Sequence, residues 1–192
     1  VSLAQGDYVA FCDHDDVWNE RHLELLLDCI SRHPKTGMVF DNAQYFGQGV
    51  EPKLCLKPRL SKSLNGKVIG LNYLFWKYPV ASLSVVMVRK DSFHRLGGLS
   101  DNAGAMDDYH FYLRMAACRD VRYVDYVGCR KRISASNLSG SVNLKDTNVL
   151  YLEDILNNHP DVVRRIGAMS FRARLGRKYF KQGRYYSQRH EE

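Results

Sequence analysis

Residues 8–18 read YVAFCDHDDVW. Tyr8, Val9, Ala10 and Phe11 make a short apolar run of the kind that forms a buried strand. Three carboxylates, Asp13, Asp15 and Asp16, follow within four positions, and Trp18 comes just after. Like charges so close repel, so something positive must offset them. Side chains alternate along extended chain, which turns Asp13 and Asp15 to one face. Two hard oxygen ligands at a strand's end suit Mg2+ or Mn2+ shared with a substrate phosphate. Helix capping by Asp16 or Asn19 accounts for one polar residue here, not for three acids.

Outward from this stretch, strands and helices alternate. NERHLELLLDCISRHP (19–34) reads as a helix capped by Asn19, with Leu23, Leu26, Leu27 and Ile30 on one face and Pro34 past its end. GMVFDN (37–42) reads as a strand and residues 43–70 as a long loop. ASLSVVMVRK (81–90) reads as a strand, after which Asp91 caps a short helix that stops at Gly97-Gly98. MDDYHFYLRMAAC (106–118) is a helix with an acidic first turn, and VRYVDYV (121–127) is a strand leading into the basic CRKR. From Lys145 onward the pattern is helical. The alternation predicts an α/β layer fold.

Two further groups of residues carry chemistry. Asp107 and Asp108 open their helix, where backbone N–H groups favour an ionised carboxylate that can act as a general base. In CRKRISASNLSG (129–140), alternation puts Arg130 and Arg132 on a common face, and guanidinium groups bind phosphate oxygens bidentately. Ser134, Ser136 and Ser139 add hydroxyls. Trp18 reads as a packing residue and Trp76 as packing or as the wall of a groove. His14 is given no role.

The chain has 192 residues, 45% hydrophobic and 26% charged, enough for one domain with a real core. Five scattered cysteines without a C-x-x-C pair point to buried thiols in a reducing compartment, not to a disulfide frame or a zinc site. No apolar run reaches the ~20 residues that cross a bilayer, and no secretory leader opens the sequence. It begins at Val1 rather than Met, so a preceding segment is expected. The net charge is +7, yet residues 1–163 are neutral; residues 164–192 hold nine basic and two acidic residues. A neutral body argues against a nucleic-acid partner. In the tail, Phe171, Leu175 and Tyr179 recur every four residues among Arg172, Arg174, Arg177, Lys178, Lys181 and Arg184. That pattern gives a helix whose stripe packs on the domain, or one that lies on an anionic membrane over residues 164–190.

GDYVAFCDHDDVW resembles the segment of family 2 glycosyltransferases in which a strand ends in the Asp-x-Asp metal motif. The order that follows is similar too: SVVMVRKDSFHRLGGL, then the acidic pair of MDDYHFYLRMA, then RKRISAS in the place of an Arg-x-His-x-x-Ser element. The resemblance runs from about residue 1 to residue 140. It implies a GT-A-like (Rossmann-like) mixed sheet flanked by helices, truncated at the N-terminus where the nucleotide-binding strand would stand. Residues 1–140 would be the C-terminal part of that domain and residues 141–192 a helical, basic extension.

The implied activity is metal-assisted, inverting transfer of a sugar from a nucleotide-sugar donor, UDP- or dTDP-linked, to an acceptor hydroxyl on a polysaccharide or lipid-linked glycan. Asp13 would lie near the donor's ribose and the Mn2+ or Mg2+, Asp15 would be the principal metal ligand and Asp16 would support the site. Asp108 takes the general-base position and Asp107 that of the Glu which usually precedes it. Arg130 and Arg132 would face the diphosphate; Arg132 stands where His is common, which favours phosphate contact over metal coordination. The implied setting is cell-envelope polysaccharide synthesis in the cytoplasm, at the membrane's cytoplasmic face. Two other readings compete: a haloacid dehalogenase-like phosphatase with Asp13 as nucleophile and Asp15 as acid/base, and a truncated, non-catalytic fragment.

Overall fold

The computed structural model describes residues 1, 3–134 and 144–189. Ser136, Ser139, residue 190 and the expected boundary between residues 140 and 141 lie outside the described residues.

β1 (Tyr8–Ala10) and β2 (Val17–Trp18) flank the acidic cluster, and α1 (His22–Arg32) leads into β3 (Thr36–Phe46). β4 (Lys53–Leu54), α2 (Pro58–Leu64) and α3 (Leu71–Lys77) follow. Then come β5 (Val86–Arg89), α4 (Lys90–Arg95), α5 (Asp107–Cys118) and β6 (Asp120–Arg132). Three helices close the described chain: α6 (Leu144–Asn158), α7 (Pro160–Ile166) and α8 (Ala168–Arg189). The sheet order is β1-β5-β3-β6-β2, with β4 paired to β3. β3 and β6 run parallel and the other pairs antiparallel. This is the expected mixed α/β sheet.

Period-two alternation sorts the core. Met38, Phe40, Val86 and Val88 join the large cluster that takes in Phe111, Tyr112 and Met115 of α5. Val39 and Met87, on the opposite face, pack with Leu26 and Ile30 of α1. Helices therefore cover both faces. The C-terminal helices share the large cluster through Tyr151, Leu152, Ile155, Val163, Phe171 and Leu175, and Phe171 stacks on Phe75 of α3 with ring centroids 5.3 Å apart. The Phe171/Leu175 stripe thus faces the core.

The structure corrects several local expectations. Tyr8–Ala10 is only half-buried, because β1 pairs with β5 alone among the described residues. The Asn19 side-chain amide donates to Val127 O (2.5 Å), so it is committed to β6, and α1 starts at His22 without a side-chain cap. The buried face of α1 is His22, Leu26 and Ile30, while Leu23 and Leu27 are exposed. Residues 43–70 are no plain loop. Asn42 donates to Leu56 O (2.8 Å) and accepts from Leu56 N–H (2.9 Å), pinning the return segment that holds β4 and α2. Asp91 is not a cap; it accepts from Ser92 and pairs with Arg95. The basic CRKR lies within β6 rather than after it, since pairing with β3 continues to Phe46 and Arg132. Cys12 and Cys118 are exposed, so the thiols are not uniformly buried.

Candidate active site

The end of β1, the start of α5 and the end of β6 converge on one cleft of about 760 Å³. Each element delivers its acid or base for a local reason. Beyond β1 the chain turns sharply: Asp16 N–H donates to Asp13 O (3.1 Å), and Asp13 N–H donates to Ser84 Oγ (2.9 Å). Trp18 anchors the same turn from below, its Nε1–H donating to Ser84 O (2.8 Å). It is the packing residue expected.

Asp13, Asp15, Asp16, Asp107 and Asp108 all line this cleft, as do Lys131 and Arg132. Arg132 N–H donates to Asp16 Oδ1 (2.9 Å), and its Nε donates to Asp15 O (3.2 Å), tying β6 to the acidic turn. Arg130 is not among the lining residues. It pairs with Val17 across β2, and its guanidinium lies 4.7 Å from the Phe46 ring centroid, next to that of Arg132 at 4.8 Å. The common face expected for these two arginines is the Phe46 face.

Lys131 is the positive group that the acid crowding demands, and sequence reasoning passed over it. Like Arg132, and unlike Arg130, it lines the cleft. Its Nζ donates to Ala81 O (3.3 Å), and its charge favours the ionised forms of Asp13 and Asp108. With CRKR expected to follow the strand, alternation alone could not place it; pairing within β6 decides its side.

The carboxylates feel both burial and one another. Desolvation pushes Asp13 upward, and Asp16 and Asp15 add to the rise. Asp108 is pushed up to about 6, mainly by desolvation and further by Asp107 and Asp13, against the Tyr109 N–H that donates to its Oδ1 (2.6 Å). Asp107 is also raised, by desolvation first. A carboxyl that titrates near 6 is poised to accept a proton at neutral pH. The three acids of the turn offer only hard oxygen ligands, Asp16 Oδ2 is buried without a hydrogen-bond partner, and their mutual repulsion is what a divalent cation relieves. Their donor type suits Mg2+ or Mn2+, but among the described residues these acids do not form a group of three with ligand atoms within 4.8 Å of one another.

Two other polar groupings lie off the cleft. His22 and Asp41 form a buried pair, Nδ1 donating to Oδ2 at 2.7 Å, with burial lifting Asp41 to about 6. A Cβ on Gly128 would fall 1.7 Å from that Oδ2, so only glycine lets β6 pass over the pair. His110, Asp154 and His159 bring their ligand atoms within 4.8 Å of one another. Burial first, and then the charge of Arg114, depresses both imidazoles. The cluster braces α5 against the junction of α6 and α7.

A family model described as "Glycosyl transferase family 2" matches residues 1–97, which include the acidic turn. A protein of Haemophilus influenzae with the name "Uncharacterized glycosyltransferase" is 24% identical over 121 residues, covering 58% of this chain and 36% of the relative. The match thus takes in about a third of that relative's length. Neither match favours the phosphatase reading.

Proposed function

The chain belongs to glycosyl transferase family 2, and from that premise we propose that its acidic cleft performs inverting sugar transfer from a nucleotide-sugar donor, UDP- or dTDP-linked, to an acceptor hydroxyl. The observation that carries this reading is the meeting, in one cleft, of the acidic turn and an elevated carboxyl at the start of α5. Asp13 and Asp15 would hold Mg2+ or Mn2+, with Asp16 fixed behind them by the Arg132 backbone. The bound ion would offset charge on the donor's diphosphate. Lys131 and Arg132 face the same phosphates, with Arg130 a step away over Phe46.

Asp108 takes the acceptor's proton as the acceptor oxygen forms its bond to the sugar's anomeric carbon and the bond to the diphosphate breaks. Asp107 holds the Asp108 backbone, accepting its N–H at 2.8 Å. The acceptor class is a polysaccharide or lipid-linked glycan, and the setting is the cytoplasmic face of a membrane. Among the described residues no helix is long and apolar enough to cross a bilayer; the membrane contact proposed is a peripheral one through the basic exposed side chains of α8.

The test is Asp108→Asn. Donor binding, measured by calorimetry with Mn2+, is expected to persist, while transfer falls at least about 100-fold, the lower range for loss of a general base. The wild-type kcat/KM should rise with pH through about 6 as Asp108 ionises, and the variant should lack that limb. Normal transfer by the variant removes Asp108 from the mechanism.

A further inference from the structure

A second cleft, of about 570 Å³, opens between α3 and α8. Arg174, Arg177, Lys178 and Lys181 line it, with Trp76 and Phe180. No carboxylate forms an ion pair with any of these four cations among the described residues. That is unusual for Arg174, which is only 4% exposed. Its guanidinium lies over the rings of Phe75 (4.4 Å), Tyr78 (4.7 Å) and Trp76 (5.4 Å), and Nη2 reaches Tyr151 OH at 3.5 Å. Nε and Nη1 have no hydrogen-bond partner among the described residues. Aromatic faces attract a cation, but they do not supply the oxygen lone pairs that two buried N–H groups require.

Lys178 repeats the pattern. Its one acceptor among the described residues is Asn148 Oδ1 at 2.7 Å, and desolvation, then the charges of Arg174 and Lys181, lower its pKa to about 8. Among the described residues, positive charge is therefore concentrated here without a carboxylate in ion-pair contact. The rim is apolar: Trp76 is 42% exposed and Phe180 67% exposed. Gly176 sits in the interior of α8 on the cleft wall, where a Cβ would meet nothing within 4 Å. A helix-interior glycine costs roughly 0.5–1 kcal/mol against alanine, and no neighbouring atom demands it.

We propose that this cleft binds the phosphate group of an amphiphile, with Arg174, Arg177, Lys178 and Lys181 on the phosphate and Trp76 and Phe180 against the apolar portion. Several cations without acids suit a multiply charged oxyanion, and guanidinium matches phosphate oxygens in pairs. The open backbone at Gly176 allows close approach. Tyr78, held at φ 49°, lines both this cleft and the acidic one, so the bound phosphate lies one side chain away from the candidate active site. The proposal stands whether or not the acidic cleft transfers sugar.

Calorimetry on the full chain with decyl phosphate, kept monomeric, and with inorganic phosphate tests it, alongside flotation with phosphatidylcholine vesicles with and without phosphatidic acid. Decyl phosphate is expected to bind at least about tenfold more tightly than inorganic phosphate, the gain that burying two or more methylenes supplies. Gly176→Leu fills the cleft without removing charge, and Arg177→Gln/Lys181→Gln removes exposed charge without touching the core. Each should weaken decyl phosphate about tenfold with an unchanged circular dichroism spectrum. Binding of vesicles containing phosphatidic acid assigns the site to a bilayer headgroup; binding of decyl phosphate alone assigns it to a dispersed amphiphile. The proposal is overturned if decyl phosphate binds no better than inorganic phosphate, or if both variants bind it as the wild type does.

Discussion

Asp108 shows at the scale of one residue how a site opposes its own fold. Its carboxyl titrates near 6 in the folded chain and near 3.8 when unfolded. The folded state therefore binds the extra proton between those values, and stability falls as pH rises through that window. Asp108→Asn should accordingly be more stable than wild type at pH 7.5, by about 1–2 kcal/mol. The difference should shrink as pH falls below 6 and vanish near 4, in urea titrations at several pH values. Gly128 makes the opposite case. Gly128→Ala drives a methyl into the His22–Asp41 pair and should cost roughly 2–3 kcal/mol by chemical denaturation. The acids of the cleft could be read from sequence because their spacing is local. Lys131 and the His22–Asp41 pair could not, since the first depends on β6 continuing through CRKR and the second joins residues 19 positions apart.

At the scale of elements, the brace of His110, Asp154 and His159 joins α5 to the junction of α6 and α7. His110 Nε2 stands 2.7 Å from Asp154 Oδ2, and His159 Nε2 stands 3.8 Å away. Burial, then Arg114, depresses His110 to about 4. The unfolded chain then takes up a proton first as pH falls, so the stabilisation is complete above about 6.5 and is lost toward 4. His110→Gln lacks this titration. The gap in thermal midpoint between wild type and variant should be widest at pH 7.5 and narrow by pH 4.5. Helix α5 itself was plain in MDDYHFYLRMAAC, because its acidic first turn and apolar content are local. The short edge strand β1 and the extension of β6 through CRKR were not, because pairing partners decide where strands stop. Residues 43–70 misled for a related reason: only the long-range anchor from Asn42 gives that segment its order.

For the molecule as a whole, the C-terminal helices belong to the same core as the sheet. Phe171 is fully buried against Phe75. Phe171→Ala should therefore cost about 3–4 kcal/mol of global stability, with a single cooperative urea transition and little change in its slope. A separate, early transition would show that α8 folds on its own account. The placement of net charge was legible from composition, and so was the amphipathic pattern of residues 171–179. Which way the stripe faces was not, because an inward-packed helix and a membrane-lying one share the same periodicity.

The exposed thiol of Cys12 borders the acidic cleft and gives the molecule a chemical gauge of its own. Burial first, and then the charges of Asp16 and Asp13, keep its proton on. Alkylation by iodoacetamide runs through the thiolate, so anything that quiets those two acids should quicken the reaction at fixed pH. A reagent rate, followed by mass spectrometry, would then report occupancy of the cleft before any product of catalysis had been identified.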